Sequence, residues 1–342
     1  MSAWMKKSLY SIGALLLAVI VVGVFLPSSG RVERETVIDA PPATLFAVLD
    51  DLRRVPDWSP WIQNDPHAQL DYSPPTSGTG AALRWDGIRL GAGGQTIVES
   101  VPNRRLVMQL DLGHGQPIRS EFELSATDSG TQLRWICETE FGINLLDRYS
   151  GLFLQSAIGR DLERGLSNIQ TLAESLPRAD WSDIEVERLV VAPVEIAYLT
   201  ARSLPTAEAI SEAVGQAYFN ILAYMGQHGL QEAGPPISIS RRFSGSEFVF
   251  DAAIPVRGVS DDTPRTANGI RLGTTYGGPA IRGRHIGSYG NLRQTHEKMA
   301  AYLAAHGIAR AGDAWEAYVS DPTRTPESER VTDVYYPIGE PD

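Results

Sequence analysis

The sequence is poor in cysteine, with Cys137 as the only one among 342 residues. A single cysteine excludes a disulfide within the chain and any metal site built from several thiolates. Cys137 ends an alternating apolar run, so we expect a small residue of the protein core. The sequence also lacks His-Glu-x-x-His, Gly-x-Ser-x-Gly and a phosphate-binding glycine loop. We therefore predict no metal and no cofactor, and we assign no catalytic residue.

Positive charge is scarce as well, because the formal net charge of the chain is −11. The first 30 residues contain Lys6 and Lys7 and no acids, so residues 31–342 carry −13. A body with this charge repels nucleic acid at long range. A DNA-binding regulator would also need a helix-turn-helix, and the segments described below leave none unassigned. We expect no nucleic-acid partner.

Residues 9–26 form a long apolar run without charge. Eighteen helical residues rise about 27 Å, close to the hydrocarbon thickness of a bilayer. A cleaved signal peptide is the alternative, although Leu26-Pro27-Ser28 is a poor cleavage site. We predict that residues 1–30 are a cytoplasmic stub and a single transmembrane helix of a bacterial membrane protein. Lys6 and Lys7 then place the soluble domains in the periplasm or outside the cell.

Residues 31–177 carry the signals of an α+β domain. A strand-like alternation and a short helix come first, and short strand-like stretches follow at 81–85, 95–100, 106–112, 119–124 and 131–139. A long helix is predicted for 145–176 because apolar residues recur there every three or four positions, at Leu154, Ile158, Leu162, Leu166, Ile169, Leu172 and Leu176. This order predicts a curved antiparallel sheet wrapped around the long helix.

The segments VERETVIDAPPATLFAVLDDLRRVPDWSPW, GTGAALRW, TIVESVPNRRLVMQL and IGRDLERGLSNIQTLAE resemble the START/SRPBCC superfamily, in its polyketide cyclase/dehydrase branch. The resemblance implies a helix-grip fold with a mostly apolar cavity between the sheet and the long helix. It does not determine the function, since this superfamily includes cyclases, lipid carriers and chaperone cofactors. Trp58 and Trp61 belong to the resemblance, and we expect them to pack in the core.

The region 183–338 repeats itself. AYMGQHGLQEAGPPISIS from Ala223 resembles AYLAAHGIARAGDAWEAYVS from Ala301, 78 residues later. Each copy contains an amphipathic helix, with apolar positions at Ile210, Val214, Ala217, Ile221 and Met225 in one and Leu292, Thr295, Met299 and Leu303 in the other. His228 and His306 each precede a glycine, as residues at helix ends do. Two such α+β halves would pack together and leave a groove at their junction.

The duplicated pattern resembles the GyrI-like domain, also called the AraC-type effector-binding domain, of multidrug-sensing transcription activators. Its most specific segments are RHIGSYGNL, AWEAYVSDPTRTPES and TDVYYPI. The resemblance implies that Glu316 lies at the floor of a ligand pocket. It also implies aromatic pocket residues, at Tyr289, Trp315 and Tyr318 and more loosely at Tyr198 and Tyr218.

The residues around Glu316 support the same interpretation. Successive side chains of a strand alternate between its faces, so Glu316 and Tyr318 would share one face and Trp315 would lie on the other. A carboxylate among aromatic rings is costly to bury unless a cation or hydrogen bonds offset the cost. We predict that Glu316 binds a hydrophobic or cationic small molecule. The alternative is that Glu316 points to solvent or pairs with an arginine such as Arg284.

Two classes of function remain open. The first is a membrane-anchored binding protein with two pocket domains for amphipathic small molecules. The second is an enzyme, either a small-molecule hydrolase with Glu316 as general base and Tyr289 or Tyr318 orienting water or substrate, or a cyclase or dehydratase in the first domain. A third interpretation is a protein-interaction platform, which an exposed apolar patch would support.

Overall fold

The computed structural model describes residues 3–113 and 116–339. It divides the chain into two compact units, Met1–Arg178 and Ala179–Asp342, each with its own sheet and helices. The α+β class and the two-domain organisation predicted from the sequence are confirmed. The boundaries predicted for the domains stay predictions, and Met1 and Ser2 of the predicted N-terminal stub lie outside the described residues.

Within residues 3–113 and 116–178, the structure describes six helices and seven strands. In chain order they are α1 (Ala3–Phe25), β1 (Ser29–Ile38), α2 (Pro42–Asp50), α3 (Val55–Trp58), α4 (Pro60–Gln63), β2 (Gln69–Ser73), β3 (Ala82–Gly87), β4 (Gly91–Val101), β5 (Arg105–Asp111), β6 (Ile118–Thr127), β7 (Gly130–Glu140), α5 (Leu145–Gly151) and α6 (Leu154–Glu174). A 3-10 turn at Leu52–Arg54 connects α2 to α3. Each predicted strand corresponds to one of these strands, whereas β2 has no counterpart among the predictions.

The seven strands form one antiparallel sheet in the order β1-β7-β6-β5-β4-β3-β2. Helix α6 packs against this sheet through the apolar positions predicted from the 3.6-residue period. Leu162 and Ile169 are fully buried, and Leu166 is nearly so. The apolar stripe of the long helix therefore belongs to the core of the first unit, as expected.

The long helix predicted for 145–176 is interrupted, and this prediction is corrected. Helix α5 ends at Gly151, and α6 begins at Leu154. A Cβ atom at Gly151 would lie 2.5 Å from the ring of Phe141, so glycine, a poor helix former, allows the chain to pass this ring closely. Phe141 lies ten positions before Gly151, so the periodicity of the helix itself does not contain this contact.

The predicted transmembrane helix is not supported by the structure. Among the residues that the structure describes, no helix is long and apolar enough to cross a membrane. The predicted location of the two domains outside the cytoplasm stays a prediction.

The described part of the second unit, residues 179–339, contains two helices and ten strands. In chain order they are β8 (Glu185–Val191), β9 (Glu195–Ser203), α7 (Ala207–His228), β10 (Gln231–Glu232), β11 (Ile237–Phe243), β12 (Phe248–Arg257), β13 (Thr266–Ala267), β14 (Ile270–Thr274), β15 (Gly278–Ile286), α8 (Leu292–Ala305), β16 (Trp315–Tyr318) and β17 (Val331–Pro337). Two 3-10 turns, Tyr289–Asn291 and Glu327–Glu329, precede α8 and β17.

These strands form one sheet in the order β13-β14-β9-β12-β11-β16-β17-β15-β8, with β10 paired to β12. The order reflects the duplication, because β9, α7, β11 and β12 correspond to β15, α8, β16 and β17. The halves meet where β11 pairs with β16 in an antiparallel register. Ser238 lies opposite Glu316 in this register, and the two residues are 78 positions apart, as are the two repeats. The pseudo-twofold axis that relates the halves therefore passes between them.

Both helices cover the same face of this sheet, which we call the helix face. Ile221 of α7 packs with Phe250 and Ala252 of β12, and Met299 of α8 packs with Val334 of β17. Residues directly opposite one another on paired strands share a face. The register Ala252–Ser238–Glu316–Val334 therefore places Glu316 on the helix face, above the junction of the two halves.

Candidate functional site

Glu316 is held by two hydrogen bonds on the helix face. Its Oε1 atom lies 2.8 Å from Nε2 of His296, and its Oε2 atom accepts a hydrogen bond of 2.6 Å from the hydroxyl of Tyr318. The side chains of Glu316 and His296 are 15% and 25% exposed, so solvent reaches both. The predicted alternatives for Glu316 do not hold, since the carboxylate is mostly buried and Arg284 pairs instead with Asp333.

His296 connects the carboxylate to a further tyrosine. Its Nδ1 atom lies 2.8 Å from the hydroxyl of Tyr336 on β17. A carboxylate only accepts hydrogen bonds, so Nε2 of His296 carries the hydrogen that faces Glu316. The result is a continuous chain of hydrogen bonds from Tyr336 through His296 and Glu316 to Tyr318. Such a chain can move a proton or accommodate a change of charge at its centre.

Two more tyrosines surround this chain. The ring of Tyr318 meets the ring of Tyr289 edge to face at 5.3 Å between centroids and that of Tyr218 at 6.5 Å. The hydroxyl of Tyr218 donates to the carbonyl of Ile237, at 2.8 Å. Burial raises the pKa of Tyr218 and Tyr318 well above its ordinary value, and the nearby carboxylate of Glu316 raises it further. Both hydroxyls therefore stay protonated and remain hydrogen-bond donors.

Of the predicted site residues, the structure brings Glu316, Tyr318, Tyr289 and Tyr218 together. The other two, Trp315 and Tyr198, lie on the opposite face of the sheet, in a cluster with Ile237 and Ala317. Trp315 stacks there on Tyr335 at 4.8 Å, as the strand alternation predicts. The structure does not bring Trp315 or Tyr198 to the carboxylate of Glu316.

Sequence reasoning missed His296 and Tyr336. A signal for His296 was present, because it falls four residues after Leu292 and three before Met299, on the apolar stripe of α8. It is also 78 residues after Tyr218, so it occupies the position on α8 that Tyr218 occupies on α7. No comparable signal identifies Tyr336, whose contact with His296 depends on how α8 lies on the sheet.

The remaining histidines of the second unit are structural. His285 is buried, and its ring nitrogens contact the side chain of Thr295 and the carbonyl of Ser288. His228 lies in the last turn of α7, and His306 caps α8. The glycines that follow them have φ of 66° and 64°, the left-handed conformation that ends a helix. The prediction that His228 and His306 mark helix ends is confirmed.

A separate groove of about 410 Å³ in the second unit is lined by residues of α8, the end of β15 and residues 183–185. Its charged residues include Lys298, which pairs with Asp183, and Arg284, which pairs with Asp333. Glu316 does not line this groove. Within residues 3–113 and 116–339, no group of three or more His, Cys, Asp or Glu side chains is arranged to hold a metal ion.

The interior of the first unit is aromatic. The indole of Trp135 packs against Trp58, Trp61 and Phe122 with centroids 4.7 to 5.7 Å apart, so the expected packing role of the two tryptophans is confirmed. Cys137 is buried nearby, as predicted, and burial raises the pKa of its thiol to about 12. This thiol is therefore not ionised near neutral pH.

The same interior contains polar atoms that have no hydrogen-bond partner in the described residues. They belong to nearly buried side chains, the indole nitrogens of Trp58 and Trp85, the amide nitrogen of Gln95 and the hydroxyl of Thr44. An unpaired buried donor costs about 1–3 kcal/mol. Trp85 and Gln95 lie on the neighbouring strands β3 and β4 and both point into the core.

Comparison with known families defines the class of protein. Residues 29–174 match the family model described as polyketide cyclase / dehydrase and lipid transport. Residues 185–338 match that of the GyrI-like small molecule binding domain. The chain therefore matches these two family models in the order that the sequence motifs predicted. Both belong to small-molecule-binding families.

Among solved structures, the C-terminal domain of EcmrR is 12% identical, with 46% of this chain and 99% of that one covered and a TM-score of 0.38. A protein from Chromobacterium violaceum is 17% identical, with coverages of 43% and 99% and a TM-score of 0.31. A hydrolase from Listeria innocua is 14% identical, with coverages of 45% and 92% and a TM-score of 0.34. None of the curated proteins compared with the chain matches it.

Proposed function

We propose that this protein binds amphipathic small molecules and that its second domain accepts cationic ones at Glu316. The observation that carries the proposal is the partly exposed carboxylate of Glu316, held between His296 and Tyr318 where the two halves meet. A carboxylate in a site of reduced dielectric attracts a cation more strongly than it would in water. The faces of tyrosine rings add to this attraction.

The surroundings of Glu316 leave its carboxylate able to bind a ligand. The two hydrogen bonds use one direction on each carboxylate oxygen, and each oxygen has a second lone pair. The ring of Tyr318, whose hydroxyl donates to Oε2, and the ring of Tyr289 packed against it would offer apolar surface to the body of a ligand. An aromatic ammonium compound combines both properties.

The test compares two probes of nearly the same shape, benzyltrimethylammonium and neutral neopentylbenzene, on the full chain. Titration calorimetry should give preferential binding of the cation by wild type. Glu316→Gln should lower the affinity for the cation by at least about tenfold, which corresponds to 1.4 kcal/mol, and leave the affinity for the neutral probe unchanged. Glu297→Gln removes the same charge from the exposed side of α8 and should leave both affinities unchanged. Equal affinity of wild type and Glu316→Gln for the cation would refute the proposal.

A hydrolase is the second candidate, and the hydrogen bond between His296 and Glu316 favours it. An imidazole paired with a carboxylate is a common general base, and Tyr318 or Tyr289 would orient water or substrate. An activated ester such as p-nitrophenyl acetate provides the assay. Loss of turnover in both Glu316→Gln and His296→Gln would favour this candidate. Turnover that survives in both variants would exclude Glu316 and His296 as the residues that hydrolyse the ester.

For the first domain we propose a ligand with an apolar body and a hydrogen-bond acceptor. The support comes from the unpaired nitrogens of Trp85 and Gln95, which an oxygen of the ligand would satisfy. Oleate carries such an acceptor, and cis-9-octadecene of similar length does not. Oleate should bind at least about tenfold more weakly to Gln95→Leu, whereas the alkene should bind both forms alike. An unchanged affinity for oleate would contradict this placement.

A further inference from the structure

We infer that His296 is the internal counter-cation of Glu316 and that a cationic ligand binds to the second domain in exchange for the proton of this imidazole. The inference rests on the proposed function and adds its regulation. When the imidazole is protonated, its positive charge pairs with the carboxylate of Glu316, with which a bound cation would otherwise pair. When it is neutral, the carboxylate is available to the ligand.

The geometry allows His296 to hold either charge without moving. With a neutral imidazole, Nε2–H donates to Glu316 and the hydroxyl of Tyr336 donates to Nδ1. With a protonated imidazole, Nδ1–H donates instead and the oxygen of Tyr336 accepts. A tyrosine hydroxyl both donates and accepts, so the two states differ only in where its hydrogen points.

The groups that face His296 explain why the charge of the imidazole and that of a ligand exclude each other. Glu316 is the acid in contact with the ring, and Tyr318 and Tyr336 are the neighbouring neutral groups, from β16 and β17. The guanidinium of Arg310 lies over the ring of Tyr336, with its carbon 4.8 Å from the centroid, and opposes further positive charge there. One carboxylate therefore serves either the imidazolium or the ligand.

Other charged and titratable groups on the surrounding elements have partners of their own. On β15, the ring of His285 is bonded to Thr295 and Ser288. On α8 itself, Lys298 pairs with Asp183, and Arg293 pairs with Glu297. From α7, Tyr218 reaches the site, and its hydroxyl donates to a backbone carbonyl. From the turn before α8, Tyr289 lies beneath the guanidinium of Arg330, whose carbon is 5.4 Å from its centroid.

The exchange releases one proton from the imidazolium to solvent for each cation bound. Histidine changes its charge between about pH 5 and 8, so the affinity for a permanent cation should decrease as the pH falls through this range. Exclusion predicts that the Kd of benzyltrimethylammonium is at least about threefold larger near pH 5.5 than near pH 7.5. The neutral probe neopentylbenzene should bind alike at both values.

The test measures the Kd of benzyltrimethylammonium at both pH values, with the full chain and two variants. His296→Gln retains a hydrogen-bond donor to Glu316 but does not titrate, so its Kd should change less than about twofold with pH. His306→Gln removes a histidine from the end of the same helix and should behave as wild type. Calorimetry near pH 6 in two buffers of different ionisation enthalpy should detect proton release in wild type and none in His296→Gln.

The outcomes separate the inference from the proposed function. Cation binding that is independent of pH in wild type, or equally dependent on pH in His296→Gln, overturns the exchange and leaves the binding proposal in place. The second of these results would point to Glu316 as the group that titrates. Failure of the cation to bind better than the neutral probe, even above pH 7.5, overturns the proposed function itself.

Discussion

The two halves of the second unit share a scaffold but differ at its centre. Helices α7 and α8, strands β11 and β16, and the helix-ending glycines correspond one to one. At the axis, however, the first half presents Ser238 and the second half presents Glu316. On the helices, Tyr218 of the first half stands where His296 stands in the second. The fold thus repeats, whereas the pair of carboxylate and imidazole at the axis belongs to the second half alone among the described residues.

The difference shows which positions of a repeated structure are free to diverge. Core positions at corresponding points remain apolar and buried, as Ile221 and Met299 do. Positions at the axis face both halves at once and can differ without disturbing either core. The following predictions test this comparison, beginning with the largest expected effect.

The shared scaffold predicts that equivalent core positions contribute alike. Ile221→Ala and Met299→Ala each remove a side chain that is fully buried between a helix and the sheet. Each should lower the free energy of unfolding of the second domain by about 2–5 kcal/mol. Urea denaturation of the full chain measures this change in the free energy of unfolding. A cost below about 1 kcal/mol in one variant only would show that the two cores are not equivalent.

The divergence at the axis predicts that a second acid is not tolerated there. Ser238→Glu places a carboxylate directly opposite Glu316, whereas Ser238→Gln adds nearly the same volume without charge. Ser238→Glu should be less stable than Ser238→Gln by about 1–3 kcal/mol near pH 7. Two close carboxylates raise the pKa of one of them in the folded state, so this deficit should shrink as the pH falls toward about 4. A deficit that does not depend on pH would argue against contact between the two acids.

Tyr336 offers a comparison with Ile254, which stands at the matching position before a proline in the first half. Burial raises the pKa of Tyr336 to about 12. The unfolded tyrosine ionises near its ordinary value of about 10, so stability is retained below about pH 10 and lost as the pH rises toward 12. Over this interval wild type should lose about 1–2 kcal/mol more than Tyr336→Phe in urea denaturation. Parallel losses in the two proteins would contradict the burial of this hydroxyl.

The smallest expected effect concerns Gly226, whose counterpart on α8 is Ala304. Gly226 lies within α7, and a Cβ atom there would meet nothing within 4 Å. Gly226→Ala makes the helices more alike and should raise the free energy of unfolding by about 0.5–1 kcal/mol. A loss of stability would reveal a contact at this position that the packing of α7 does not explain.

Patterns within single elements allowed much of the fold to be predicted. The apolar stripe of α6 and the face shared by Glu316 and Tyr318 follow from periods of 3.6 and 2 residues. The close approach of Gly151 to Phe141, which lies before α5, is a contact that these periods do not contain. The pairing of His296 with Glu316 depends on how α8 packs on β16 and β17. A contact between separate elements of this kind is not visible in the periodicity of either element.

The face of the sheet on which Trp315 lies was predicted in two conflicting ways. The family resemblance placed Trp315 in the ligand pocket because of its residue type. The alternation of side chains along the strand placed it on the face opposite Glu316. The structure follows the alternation, because Trp315 stacks on Tyr335 on the face opposite the helices. For a strand residue, the alternation was the better guide.

The pseudo-twofold axis between Ser238 and Glu316 has a consequence for assembly. Two separate copies of one half, joined as a symmetric pair, would carry identical residues on both sides of the axis. An acid at this point would always face its own image, and so would an imidazole on the helix above. Covalent fusion of the halves, unlike a pair of identical copies, allows one strand to supply a lone acid while its neighbour supplies a small hydroxyl.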